Sequence, residues 1–383
     1  MLHVAPPLRR LVTVLVLLVL WRSALFAVDF VGTSTTVERP YNRNANYRAF
    51  PGHYFLDGWA RWDSGWYQRI AKHGYTIEGP ESAVVFFPAF PYAARFVGML
   101  FGSHWIGGLV VSHVCLVAAL YYLHLLASLF LDEQRVRLAL VFLLSFPGSF
   151  FFSAYLSESM FLAAAVACTY YYMRRKFLAA GLLGLWATLT RSTGTMLFAA
   201  LALDYAFAVW RRRETFSREA LFLLLIPLGI PLFMLVLYVQ VGNPLALFEY
   251  QGLGWGRAMT FPLAPLRDAF ASTDYGFPRD PEGFNTVTFL EAAFSVVFLV
   301  VPLFMIRRLP VALWSFALLA VLLPLASGNV ASMIRYSAIV FPLPIWLADV
   351  TGNHPTAQWF LVYLFAMLLA IFNLRFMNWY WIG

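Results

Sequence analysis

Asp63 is the carboxylate at the centre of a charged and aromatic island, Arg61-Trp62-Asp63-Ser64-Gly65-Trp66-Tyr67-Gln68-Arg69-Ile70-Ala71-Lys72-His73-Gly74-Tyr75, set between long apolar runs. A carboxylate there has two readings. It can cap a helix by accepting from backbone N–H groups, or it can take the proton of a reacting hydroxyl as a general base. Four more ionisable residues, Arg22, Glu158, Arg191 and Arg335, lie in or beside runs that are otherwise apolar. At membrane depth each costs at least about 2.5 kcal/mol on insertion scales, which makes them candidates for function. Arginine suits a phosphate, because its planar fork makes two charge-assisted hydrogen bonds where lysine offers a point charge. Arg191 is followed by Ser192, Thr193 and Gly194, small residues able to bring N–H groups and hydroxyls to an anion. The plainer alternatives are that Glu158 pairs with one arginine to stabilise a bundle, or that these groups sit in water. His113 and His124 fall inside an apolar run and read as packing residues, whereas His73 ends the island beside Asp63 and could bind substrate.

These residues need a scaffold, and the composition says which kind. Of 383 residues, 61% are hydrophobic and 12% charged, with a mean hydropathy of +0.71; a soluble globular domain carries about 25% charged residues. The chain is therefore expected to be an all-α polytopic membrane protein. The net charge of +8 would suit a nucleic acid, but the basic residues stand at the ends of apolar runs, where they orient helices. Cys115 and Cys168 lie in apolar runs and read as packing residues. There is no P-loop, no G-x-G-x-x-G, no D-x-D and no cluster with metal-ligand spacing, so neither a nucleotide, a cofactor nor a tightly held metal is expected. A loosely bound divalent cation stays open.

Apolar length and flanking charge predict about eleven transmembrane helices. The first, Leu11–Val28, follows Arg9 and Arg10 and shows no cleavage site, so it is expected to be retained, with the N-terminus in the cytoplasm. The next region, 29–83, becomes a large first extracytoplasmic loop. Within it the island predicts a short amphipathic helix along the membrane interface, with Asp63 at its N-cap and Gly74 as a left-handed C-cap. Trp66 and Ile70 would form its apolar face, and Gln68, Arg69 and Lys72 its polar face. Val84–Phe101, interrupted by Pro88 and Pro91, reads as a re-entrant or interfacial segment. The remaining spans are Trp105–Leu131, Leu138–Phe151, Met160–Met173, Phe177–Leu189, Thr195–Trp210, Ala220–Val241, Val287–Ile306, Val311–Ala326, Ser337–Val350 and Trp359–Leu374. This topology makes the turns at Arg135 and Arg137, Arg174-Arg175-Lys176, Arg211-Arg212-Arg213 and Arg307-Arg308 cytoplasmic, as the positive-inside rule requires. Residues 242–286 form a second large external loop, and Asn378–Gly383 also lies outside. No soluble domain is left over; 1–383 reads as one transmembrane domain.

Asp63, Arg22, Glu158, Arg191 and Arg335 all map to the extracytoplasmic side, away from nucleotide-activated donors. An activated group reaching them has to arrive on a lipid, and a lipid phosphate needs fixed cations near the headgroups. Four stretches now resemble a known family, the PIG-V mannosyltransferases that add the second mannose of GPI anchors, with their bacterial relatives among the GT-C membrane glycosyltransferases. They are Arg61-Trp62-Asp63 running on to Ile70-Ala71-Lys72-His73-Gly74-Tyr75, then Phe86-Phe87-Pro88-Ala89-Phe90-Pro91, then Ser153-Ala154-Tyr155-Leu156-Ser157-Glu158-Ser159, then Arg191-Ser192-Thr193-Gly194. They follow the family's order through the first half of the chain; in the second half the match is a hydropathy pattern with the pair Arg335-Tyr336.

The resemblance implies a GT-C-type bundle and inverting transfer of mannose, or a similar hexose, from a polyprenyl-phosphate donor to a hydroxyl of a glycolipid or glycan acceptor. Asp63 stands in the position of the family's loop aspartate. Arg191, Ser192, Arg335, Tyr336 and Arg22 are expected to hold the donor, and Arg61, Trp62, Ser64, Trp66, Tyr67, His73 and Glu158 to line the site. Membrane lipids are the other expected partners, and nucleic acid is not one. The chain departs from the family at Thr193, where Asn is frequent, and at Gly65 and Trp66, where an acidic residue is followed by His or Phe. Its short external loops suggest a bacterial relative in the plasma membrane, for which a GPI acceptor does not apply; a eukaryotic member would sit in the endoplasmic reticulum membrane. Two other classes compete. A lipid-sugar transporter or flippase also uses buried charge, but near the midplane and with paired repeats, and neither is visible here; a catalytically silent scaffold is the other.

Overall fold

The computed structural model describes residues 7–36, 38, 48–272 and 284–382. The parts of the two expected external loops at 37, 39–47 and 273–283 lie outside them. Among the described residues every regular element is helical.

The chain opens with α1 (Pro7–Thr35), whose 29 residues make about 43 Å at 1.5 Å per residue. It outruns the expected span at both ends, so Asp29, expected in the first loop, is buried inside α1 and accepts from Asn373. The short α2 (Tyr54–Asp57) and α3 (Ser64–His73) follow. On α3 the buried residues Ser64, Tyr67, Ile70 and Ala71 recur at the three- and four-residue spacing of one helical face. That face lies against α4 (Ala89–Phe101), with Tyr67 edge-on to Phe86 and Phe90. Trp66, expected on the apolar face with Ile70, is half-buried at the flank of this one. Gly74 has a positive φ of 78 but a ψ of −164, so it turns the chain into extended backbone rather than a left-handed helical cap.

Pro88 and Pro91 start a helix rather than interrupt one. Pro88 is the N-cap of α4 and Pro91 lies in its first turn, where backbone N–H groups have no intrahelical partner to lose. Gly102, left-handed at φ 64, then turns the chain into α5 (His104–Ala127), which packs back on α4. The two helices touch through glycines: a Cβ on Gly107 would stand 2.6 Å from Gly98 Cα.

The chain continues through α6 (Glu133–Ser145), α7 (Glu158–Met173), α8 (Phe177–Thr190), α9 (Thr195–Trp210), α10 (Gly229–Val241), α11 (Ala246–Trp255), α12 (Ala264–Ser272), α13 (Phe284–Met305), α14 (Val311–Leu325), α15 (Met333–Ala338), α16 (Pro342–Thr351) and α17 (Pro355–Met377). Among the described residues, six segments are long and apolar enough to cross a membrane, namely Pro7–Thr35, His104–Ala127, Ser192–Trp210, Arg218–Val241, Val287–Met305 and Pro355–Met377. This is the helix set of an integral membrane protein, with fewer full-length spans than the eleven expected. The others are shorter: α6 has 13 residues, α7 16, α8 14 and α14 15, and fourteen residues reach only about 21 Å of the roughly 30 Å of hydrocarbon. The expected span Ser337–Val350 is two helices, because Pro342 has no N–H to continue α15 and instead starts α16.

Two of the clusters of polar contacts lie at the two ends of α6. At the start of α6, Arg135 donates to Asp349 (3.4 Å) and Asn353 (3.1 Å), and Arg308 to Asp349 (3.1 Å). Beyond the far end of α6, around the joint between Ser149 and Glu158, lies the second cluster.

Candidate active site

That second cluster is built from ends of helices. Glu158 is the first residue of α7, where the helix dipole favours an anion, and it is completely buried. Arg191 is the extended residue (φ −155, ψ 145) between α8 and the 3-10 turn Ser192–Gly194. Arg335 lies in the six-residue α15, and Asp63 at the N-cap of α3.

Both arginines donate to one oxygen of Glu158: Arg191 through Nη1 and Arg335 through Nε. Arg335 Nη1 also donates to Asp63 Oδ2. The result is a continuous chain, Asp63–Arg335–Glu158–Arg191, joining four segments. Asp63 makes no side-chain cap hydrogen bond to α3, its backbone being already helical at φ −58, ψ −17. Its carboxylate is committed to Arg335 instead, and the capping reading does not hold. Ser157 Oγ ties the chain to α3, lying 2.9 Å from Tyr67 OH and accepting from Arg191 Nη1 at 3.2 Å. Arg191 stands 5.1 Å over the Tyr336 ring and Arg335 5.8 Å over Phe151.

Burial alone would lower the pKa of Arg335, but Glu158 and Asp63 hold it well above the ordinary arginine value. Burial pushes the Tyr67 hydroxyl up to about 12, so it remains a neutral hydrogen-bonding group. Tyr336 moves the other way: burial raises it, and the fields of Arg257, Arg191 and Arg335 outweigh that and bring it below the usual tyrosine value.

A cavity of about 200 Å³ opens on this chain, lined by Asp63, Tyr67, Phe86, Phe87, Thr190, Arg191, Ser192, Gln251, Trp255, Arg257, Asn329, Ser332, Arg335, Tyr336 and Trp381, among others. Three arginines thus face one carboxylate, which makes the cavity suited to an anion with a proton acceptor beside it. Among the described residues no three of His, Cys, Asp and Glu converge to hold a metal ion.

The structure brings Asp63, Tyr67, Arg191, Ser192, Arg335 and Tyr336 together at the cavity, with Glu158 beneath them. It places the other expected site residues elsewhere. Arg22 stacks on Trp59 at 3.9 Å, because α1 packs on α5, α6 and α17. Arg61 donates to Asp57 Oδ2 (2.9 Å) and to the Met377 carbonyl (3.1 Å), pinning the island to the end of α17. Trp62, at φ 54, meets Trp379 and Trp381 edge-on at 5.7 and 5.0 Å. Ser64 is buried in α3, and Trp66 stacks on Phe86 at 6.2 Å behind the lining. His73 is exposed at the far end of α3, about 13 Å along the helix from Ser64, and is not part of the lining.

Arg257, Gln251, Trp255, Asn329 and Trp381 line the cavity without having been singled out in the sequence. The one available signal was Arg257, a lone cation in the Gly- and aromatic-rich stretch Gly254-Trp255-Gly256-Arg257. Its guanidinium donates to Ser327 Oγ at 2.6 Å and to the Ala331 carbonyl at 3.3 Å.

No protein-family model matches the chain, and no curated protein matches it either. The PIG-V resemblance therefore rests on the four stretches and the Arg335-Tyr336 pair. Among solved structures, the chain is similar to the oligosaccharyltransferase of Archaeoglobus fulgidus in the apo form, with 14% identity over 95% of this chain and 56% of that one, at a TM-score of 0.44. It is also similar to the same organism's oligosaccharyltransferase AglB in complex with an inhibitory peptide and a dolichol-phosphate, with 13% identity over 94% of this chain and 55% of that one, at a TM-score of 0.38. The chain spans little more than half the length of these proteins.

Proposed function

We propose that the protein is an inverting GT-C-type glycosyltransferase that moves mannose, or a similar hexose, from a polyprenyl-phosphate carrier to a hydroxyl of a glycolipid or glycan on the extracytoplasmic face of a membrane. The observation that carries this reading is one cavity in which the Asp63 carboxylate stands beside Arg191, Arg257 and Arg335. The acceptor hydroxyl attacks the anomeric carbon from the face opposite the phosphate. A new C–O bond forms, and the bond from the anomeric carbon to the phosphate oxygen breaks with its electron pair on the phosphate. The hydroxyl proton passes to Asp63. Arginines already fixed by Glu158 and Ser157 meet the charge that develops on the departing phosphate, so little reorganisation is left for the reaction itself. The choice of a polyprenyl-phosphate donor and of mannose is supported by the family resemblance.

The experiment is to incubate the purified protein with defined polyprenyl-phosphate sugars and membrane lipid extracts and to look for glycosylated lipid. Asp63→Asn should keep its fold and lose at least about a hundredfold in turnover, the low end for loss of a general base. No product with any such donor would end this reading, and near-normal turnover by Asp63→Asn would remove Asp63 as the base. Asp57 is not a ready substitute, since it is buried against Arg61 and Arg48.

A further inference from the structure

We propose that Glu291, a buried carboxylate in α13, is a positioning residue of the cavity: it holds the turn before α15 and so sets where Arg335 and Tyr336 stand. This rests on the reading of the cavity as a donor-phosphate site. With six residues, α15 is too short to be stable by itself. The turn leading into it passes through Ser332 at φ 69, the left-handed region that residues with a side chain avoid. Such a conformation persists only where its surroundings over-determine it.

Glu291 supplies that constraint from another helix. Its Oε2 accepts from Ile334 N–H at 2.8 Å. The acceptor is a side chain that is only 1% exposed, so the bond lies away from solvent, where a hydrogen bond is electrostatically stronger. Arg257 grips the same turn from its other end through Ser327 and Ala331. The segment that brings Asn329 and Ser332 to the cavity is therefore held between a carboxylate and a guanidinium from two different parts of the chain. An apolar residue could fill this position in α13 without the desolvation cost of a polar group, but it could not accept from the Ile334 amide. When the Ile334 amide loses this acceptor, the neighbouring Arg335 loses its footing, and Arg335 is the residue that joins Asp63 to Glu158.

The test uses purified full-length protein and three readouts: binding of polyprenyl monophosphate, donor KM against kcat, and melting temperature. Glu291→Ala should weaken polyprenyl-phosphate binding and raise donor KM by about tenfold to a hundredfold, the scale of effect expected from displacing a positioned group by about 1 Å. Glu291→Gln keeps one acceptor oxygen for Ile334 N–H but puts an NH2 in place of Oε1, so its KM should fall between wild type and Ala while it melts like the wild type. If Glu291→Ala does not fold, Glu291→Gln decides: a raised donor KM at unchanged melting supports the assignment. An unchanged donor KM and affinity in the folded variants overturns it. A wild-type protein that does not bind polyprenyl phosphate would instead sink the donor-site reading, which keeps the two failures apart.

Discussion

Two arginines on one buried carboxylate oxygen make Arg191 both a structural and a candidate binding residue, and the roles can be separated. Glu158→Gln removes the charge that both guanidiniums share, and breaking a buried pair from one side costs about 3–5 kcal/mol, so this variant should melt well below the wild type. Arg191→Ala leaves Glu158 with Arg335 and should cost less stability. The double variant should be far from additive, because the two changes remove the same contact. Donor affinity tells the rest. If Arg191 grips the donor phosphate, Arg191→Lys weakens donor binding and Arg191→Ala weakens it more, with acceptor affinity unchanged. A loss of melting temperature with donor affinity untouched would leave Arg191 a structural residue. The sequence made Asp63, Glu158, Arg191 and Arg335 visible because charge among apolar residues is conspicuous. It misjudged Arg22 and Arg61, which carry the same charge but meet Trp59 and Asp57. Residue type marks candidates, and only packing tells a cation that lines a cavity from one that stacks on a tryptophan.

The helices that carry the site are the short or broken ones, and their ends are what the sequence left least legible. The long apolar runs gave their bounds well: Thr195–Trp210 matches α9, and Phe177–Leu189 falls one residue short of α8. Proline was the main source of error. Pro88 and Pro91 looked like breaks and prove to be the start of α4, whereas Pro342 and Pro344 sat unremarked in an expected continuous span and form the first turn of α16, after the break from α15. A proline can start or stop a helix, and which it does depends on whether the chain before it is already helical. The α4–α5 hairpin beneath α3 offers a test at this scale. A Cβ on Gly107 meets backbone atoms of Ala94 and Gly98, which have no side-chain freedom with which to move aside. Gly107→Ala should therefore force α4 and α5 apart and destabilise the protein by about 1–3 kcal/mol, the usual cost of overpacking, as measured by thermal unfolding in detergent. Unchanged melting would mean that the hairpin adjusts at no cost.

Across the whole molecule, hydropathy announced a helical membrane protein but not the assembly of its cavity. Arg335 meets Asp63 across 272 positions and Glu158 across 177, and nothing local in a single sequence encodes such partners. Arg257 and Trp381 were missed for the same reason: each is an ordinary loop residue until the fold carries it to Asp63. The way these distant pieces are joined has a consequence in time. The proposed base carries a latch, because Arg335 Nη1 holds its Oδ2. A phosphate arriving on its lipid competes with Asp63 for the same guanidinium, and a weaker hold on Oδ2 leaves the carboxylate a better proton acceptor for a hydroxyl. Turnover should then follow a compulsory order, donor first and acceptor second, with a polyprenyl phosphate competing against the donor and not against the acceptor. Initial-rate kinetics in which either substrate binds first would show that no latch operates. A contact that slackens when the phosphate arrives ties the strength of the base to the presence of its donor.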